Sequence, residues 1–385
     1  RKEMIEKLEN LVASENSIEP TSYVIEQMRN CGAYHATALL YVSHSMYRQG
    51  LQVWSELGAG EIKEEGRDGV EETISFLSKH DNFQHIWLFS SWVLRNYPDR
   101  GIQIFTCDKR VAPLPAHRVL EHLDSFQSDE NGENIKFGFL KLKYLEYLVS
   151  RNKESASDTS GEEYETLLAK EIIRVLDSLY EQNEKLHHLF GPFDEKNEAS
   201  PSSTSQVAKR ILEVRTKFKD FINQYSFDTA EVIDLFNQNF IGSALLEEKL
   251  MLYAKVGAHL EALNVLVYQM KDHRAAEMYC YRHYKREKTR KGHLNTHQEE
   301  KSKDASNSPF LHLIRIYLYP DNVGETDQQQ DQFHQICISL LERHSDHIDA
   351  ENVLDMLPST LSVSQLQVYL SLLFSSHAHI RNQHR

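Results

Sequence analysis

The sequence predicts an all-α chain, an α-solenoid of stacked antiparallel helical hairpins. Three observations carry that expectation. Apolar residues recur at three- and four-residue spacing in segment after segment, short breakers separate those segments, and one local hairpin pattern occurs three times.

The periodic segments come first. Val24 and Met28, then Leu39, Leu40, Val42 and Met46, and further on Leu246, Leu250 and Tyr253 each lay an apolar stripe on one face of a helix. Glu19-Pro20, Tyr97-Pro98-Asp99, Gly191-Pro192 and Leu357-Pro358 interrupt them, because proline lacks the amide proton and its ring clashes with the preceding turn. Only 15 Gly and 9 Pro fall among 385 residues, too few for a turn-rich β-sandwich of that size.

The repeated pattern sharpens the prediction. Tyr41 is followed after eight residues by Gly50-Leu51-Gln52-Val53-Trp54, Trp92 after eight by Gly101-Ile102-Gln103-Ile104-Phe105, and Tyr253 after eight by Ala262-Leu263-Asn264-Val265-Leu266. In a helical hairpin the aromatic closes the first helix and the small residue lets the second backbone approach it. The copies are unevenly spaced, which predicts a degenerate solenoid and not a regular array with a period of about 34 residues.

Four polar stretches, 125–133, 152–162, 191–205 and 285–308, hold too little apolar surface to order themselves and are expected to be mobile loops within a single continuous solenoid over residues 1–385. The first residue is not Met and both ends fall inside helical patterns, as expected of a piece of a longer protein.

Charge and motifs exclude several function classes. The formal charge of −14 opposes general nucleic-acid binding, which needs a basic footprint. Cys31, Cys107, Cys280 and Cys337 form no CxxC pair, so neither a zinc knuckle nor a dense disulfide framework is expected. No stretch approaches the roughly 20 apolar residues that cross a bilayer. HExxH, a P-loop and a Gly-x-Ser-x-Gly elbow are absent, and Gly58-Ala59-Gly60 runs on into Glu-Ile-Lys. No catalytic residue, metal ligand or cofactor is therefore expected, and the chain is not expected to be an enzyme.

The histidine pairs His117 with His122, His187 with His188 and His344 with His347 are expected at surfaces or boundaries, only the last sharing a helix face. Glu64-Glu65 and Glu71-Glu72 are expected to be solvated on helices, since adjacent residues point about 100° apart. The basic run Arg282, His283, Lys285, Arg286, Lys288, Arg290 and Lys291, interleaved with Tyr281 and Tyr284, is expected as a solvated linker, with an acidic partner or lipid, and lastly nucleic acid, as the alternatives.

One stretch is more specific than periodicity. LLEEKLMLYAKVGAHLEALNVLVYQMKDHRAAEMYC, from Leu245 to Cys280, places Leu252-Tyr253, Lys255, Gly257, His259, Ala262-Leu263, Val265-Leu266-Val267, Asp272, Ala275-Ala276-Glu277 and Tyr279-Cys280 in one order. It resembles the clathrin-heavy-chain-type repeat of the vacuolar protein sorting subunits of endosomal tethers. IWLFSSWVLRNYPDRGIQIFT (86–106), LKYLEYLV (142–149) and LLERHSDHIDAENVLDMLPSTLSVSQLQVYL (340–370) agree in the family's order.

The resemblance implies a non-catalytic scaffold, peripheral on endosomal membranes and without a cofactor. It is greatest to the subunit type specific to the CORVET tether of early endosomes, with the sister type of the late-endosomal HOPS tether as the alternative. The implied partners are the core subunits shared by CORVET and HOPS and, through the full-length protein, a Rab-type GTPase. Transforming growth factor beta receptors and Smad proteins are a second implied partner class. The family's citron-homology domain and zinc element are expected to lie outside these residues. The matching positions, Tyr253, Lys255, Gly257, His259, Ala262, Leu263, Asp272, Ala276, Glu277, Tyr279 and Cys280, are expected to serve packing, and no partner-binding residue is assigned.

Overall fold

The computed structural model describes residues 7–12, 18–107, 109–110, 112–127, 134–154, 161–191, 206–293, 308–320, 327–358 and 361–383. Every regular element among them is helical, so the all-α solenoid class holds. The chain divides into two compact units, Arg1–Leu179 and Tyr180–Arg385.

In the first unit α1 (Ser22–Asn30) starts where the Thr21 hydroxyl accepts the Val24 amide at 3.4 Å. α2 (Tyr34–Ser43) and α3 (Tyr47–Ala59) follow as a hairpin with a three-residue turn. Tyr41 lies in the last turn of α2, and a Cβ on Gly50 would come within 2.8 Å of Val42 Cγ2 and 3.0 Å of the Ala38 carbonyl. Glycine here is a packing requirement, as the repeated pattern predicts.

Asp68 caps α4 (Gly69–Leu77) by accepting the Val70 amide at 2.9 Å, and Asn82 caps α5 (Phe83–Asn96) in the same way at 3.0 Å. After Tyr97 the second helix of this hairpin is broken into α6 (Pro98–Gly101) and α7 (Gln103–Thr106), where the pattern predicts one helix. Gly101 still meets α5 closely, with a Cβ there 3.0 Å from Leu94 Cδ2. α8 (Ala116–Gln127), α9 (Asn134–Glu154) and α10 (Gly161–Gln182) follow.

The second unit opens with a 3₁₀ segment, Glu184–Phe190, and continues through α11 (Gln206–Gln224), α12 (Thr229–Gln238), α13 (Leu246–Val256) and α14 (His259–Asn264). A π-turn, Val265–Gln269, prolongs α14 before α15 (His273–His293). The core of this unit gathers on α16 (Pro309–Leu318), where Phe310, Leu313, Ile314 and Tyr317 are at most 1% exposed. Each such side chain contributes about 1.5–3 kcal/mol by leaving water. α16 is apolar on all sides because α15, α14 and α17 (Asp327–Arg343) surround it. α18 (Ala350–Met356), capped by Asp349, and α19 (Gln367–Gln383) complete the unit.

The expected loops are shorter than the sequence implies. Residues 125–127, 152–154, 161–162 and 285–293 are helical ends, and the remainders, 128–133, 155–160, 192–205 and 294–307, lie outside the described residues. The basic run is a correction: it continues α15 through His293 and is no linker there. Lys, Arg and Glu are strong helix formers, and a helix already nucleated on a core extends at little further cost.

Candidate functional site

The residues of the Leu252–Cys280 signature assemble one hairpin and its supports. α13 ends at Gly257, whose φ of +79° is the left-handed conformation that closes a helix, and α14 begins two residues later. Ala262 and Leu263 are fully buried where α14 packs. After the π-turn, the Asp272 carboxylate accepts the Ala275 amide at 2.8 Å and starts α15, whose inner face carries the buried Ala276 and Cys280.

The polar signature residues also find partners inside the unit. Lys255 Nζ donates to the carbonyls of Ile222, at 2.6 Å, and Tyr225, and lies 4.4 Å from the centre of the Phe227 ring. It thereby caps the C-terminal end of α11. Tyr253 Oη bonds Asn237, and His259 Nδ1 meets Tyr279 Oη at 2.9 Å. Glu277 receives His344 Nε2 at 2.7 Å and Arg343 Nη1 at 3.0 Å.

Glu277 also lines a groove on the surface of this unit. α15 and α17 both lean on α16, and between them runs a groove of about 860 Å³. Its floor is Tyr317, Ile336 and Leu340, and its walls include Arg274, Met278 and Tyr281 on α15. Met278 and Tyr281 are large apolar groups left 44% and 38% exposed. Of the basic run, Arg282, Lys285 and Arg286 face solvent, whereas Tyr284 turns inward and stacks on His347 at 4.6 Å. Alternation along the sequence does not survive as alternation in space.

Several charged groups lie where the sequence does not place them. Glu64 sits in the loop after α3, not on a helix, and accepts the His35 amide at 2.7 Å. Burial raises its carboxyl and that of Glu72, both turned toward Glu9, Arg67 and His35. His35 accepts the Trp54 indole N–H at 3.0 Å. Burial, aided by the Arg67 cation, lowers its pKa to about 4. Burial also holds His122 at about 4, packed on Trp87 and bonded to Ser90 at 3.1 Å. His344 and His347 belong to the turn after α17, not to one helix face.

The buried pair Arg215 and Glu248 was not singled out from sequence at all. Arg215 occupies the apolar stripe of α11 formed by Ile211, Val214, Phe218 and Ile222, and a charge on such a stripe is the available signal. Among the described residues, no group of three or more His, Cys, Asp and Glu is placed to hold a metal ion. No described helix is long and apolar enough to cross a membrane.

Comparison with known proteins places these hairpins. Over 386 residues, 98% of this chain, it is 27% identical to the transforming growth factor-beta receptor-associated protein 1 homolog of Danio rerio. Over 374 residues, 94% of the chain, it is 25% identical to the Vam6/Vps39-like protein of Homo sapiens. The chain is homologous to both. The vacuolar sorting protein 3 of Arabidopsis thaliana is similar at 22% identity over 92% of the chain. The chain spans 37% of the length of the first two relatives and 33% of the third. No family model matches, and no solved structure matches.

Proposed function

We propose that this chain is a non-catalytic scaffold segment of a vesicle-tethering complex, of the CORVET type that acts on early endosomes. The observation that carries the reading is similarity to the Vam6/Vps39-like and transforming growth factor-beta receptor-associated proteins along 94% and 98% of the chain, not at an isolated motif. A helical-hairpin stack suits the role because it offers long faces for partner helices without needing a reaction site. Its partners on this reading are the core subunits shared by CORVET and HOPS, with a Rab-type GTPase engaged through the full-length protein.

The test is a pull-down with this chain as bait, probed for those core subunits, combined with the location of the full-length protein. Recovery of core subunits with early-endosomal location supports the reading. Recovery with late-endosomal location assigns the chain to HOPS, and no core subunit recovered would sink the tether role.

A second reading rests on the name of the Danio rerio relative: an adaptor for transforming growth factor beta receptors and Smad proteins. Depletion separates the two. Fragmented or enlarged early endosomes favour tethering, whereas intact endosomes with altered receptor signalling favour the adaptor.

A further inference from the structure

The groove between α15 and α17 combines an apolar floor with a cationic rim, and this combination is unusual on a chain whose formal charge is −14. Its floor residues Tyr317 and Leu340 are each 1% exposed, while Met278 and Tyr281 stand open above them. Along α15 the positions 274, 278, 281 and 285 recur at four, three and four residues and therefore share one face. Opposite, Gln332, Gln335 and Ser339 line the wall from α17 with side chains that can both donate and accept.

The charges on this face are unbalanced in one direction. Among the described residues Glu277 is the one carboxylate lining the groove, and its oxygens are taken by His344 and Arg343. Arg343 keeps 57% of its side chain exposed after that contact. Arg274, Arg282 and Lys285 form no ion pair among the described residues, and the exposed Asp331 of α17 does not line the groove.

We propose that this groove is a docking site for an amphipathic helix of a protein partner, one that seats apolar side chains between Met278, Tyr281 and Ile336 and presents acidic residues to Arg274 and its neighbours. Wall positions spanning about ten residues of each helix give a length near 15 Å, enough for a three-turn helix. Met278 suits such a role because its thioether adapts to different apolar partners. A bilayer fits less well, since the apolar floor is recessed behind its walls and a flat lipid surface cannot reach it. This inference deepens the scaffold reading by naming a surface and its partner's chemistry, and it does not depend on which tether the chain serves.

The test uses the whole chain and a displayed library of 16-residue peptides as probe. Enriched peptides are expected to carry apolar residues three and four apart with acidic flanks. Their binding should weaken at least tenfold in Arg274→Glu and in Met278→Asp, both at exposed positions, with the circular dichroism melt unchanged. Arg274→Glu should in turn gain affinity for versions of the same peptides with Lys flanks, a charge swap that a folding defect would not produce. Enrichment of basic peptides, failure to enrich, or binding indifferent to both substitutions would overturn the proposal. So would binding to vesicles containing phosphatidylserine that is lost in Arg274→Glu while peptides fail to bind. A failed pull-down of core subunits beside a positive peptide result would leave this groove standing and remove the tether reading alone.

Discussion

Arg215 of α11 presents its guanidinium fork to both carboxylate oxygens of Glu248 on α13, at 2.9 and 3.1 Å, with the side chains 1% and 0% exposed. Its remaining nitrogen donates to the carbonyls of Leu189 and, at 3.1 Å, Gly191, so one cation ties the 3₁₀ segment and two helices together.

Removing one partner strands the other charge away from water. Glu248→Leu is expected to cost about 3–5 kcal/mol, whereas pairing it with Arg215→Met is expected to cost less than the single change. Urea unfolding, comparing midpoints at constant slope, checks both values. A single variant within about 0.5 kcal/mol of the parent would mean that solvent reaches the pair.

Acid should destabilise the first unit through its histidines. His35 and His122 hold pKa values of about 4, against 6.5 when unperturbed, with burial the leading cause in each. The unfolded chain thus takes up protons at each site as pH falls through 6.5, while the folded chain resists until about 4. Stability from these groups is complete above the first value and is lost toward the second. The raised carboxyls of Glu64 and Glu72 act in the opposite sense, so the informative comparison is of slopes. His122→Phe should flatten the fall in melting temperature between about pH 7 and pH 4.5, and an unchanged slope would refute the assignment.

The turn at Gly257 should not tolerate a Cβ. At a φ of +79°, Gly257→Ala is expected to cost roughly 1–2 kcal/mol, with Gly257→Asn milder because asparagine visits that region more readily. Gly50→Ala should lose stability for a different reason, the close approach to Val42 and the Ala38 carbonyl, and Val42→Ala should recover part of the loss. Thermal melts of the single and double variants separate strain from crowding.

Thiol labelling should sort the four cysteines into two classes. Cys31 and Cys107 are exposed, whereas Cys280 and Cys337 are buried, with burial pushing the Cys337 thiol up to about 12 and Cys280 upward as well. A disulfide reagent at neutral pH should modify the first two quickly and the others only after unfolding, because the thiolate is the reactive form. Fast modification of Cys280 would contradict the packing of α15 on α16.

Much of the fold is written locally. The Tyr41–Gly50 spacing and the Pro98 and Leu357-Pro358 breaks each depend on a few neighbouring residues, so periodicity and chain stereochemistry suffice to locate them. Where sequence and structure part, the deciding term is solvation. Lys285 to His293 reads as polar loop yet forms helix, since polar side chains need no core once a helix has begun. Glu64 reads as a solvated carboxylate, yet its partner, the His35 amide, lies 29 positions away.

The sequence by itself determined that this protein is helical, that its helices pair as hairpins with small residues at the crossings, and that it resembles the vacuolar sorting subunits. Those properties follow from spacing along the chain. Only the tertiary structure decided which charges are buried, which of Tyr281 and Tyr284 meets solvent, and that α15 and α17 leave a groove over α16. Burial and charge neighbourhoods are set by residues tens of positions apart, and no local pattern encodes the distance between them.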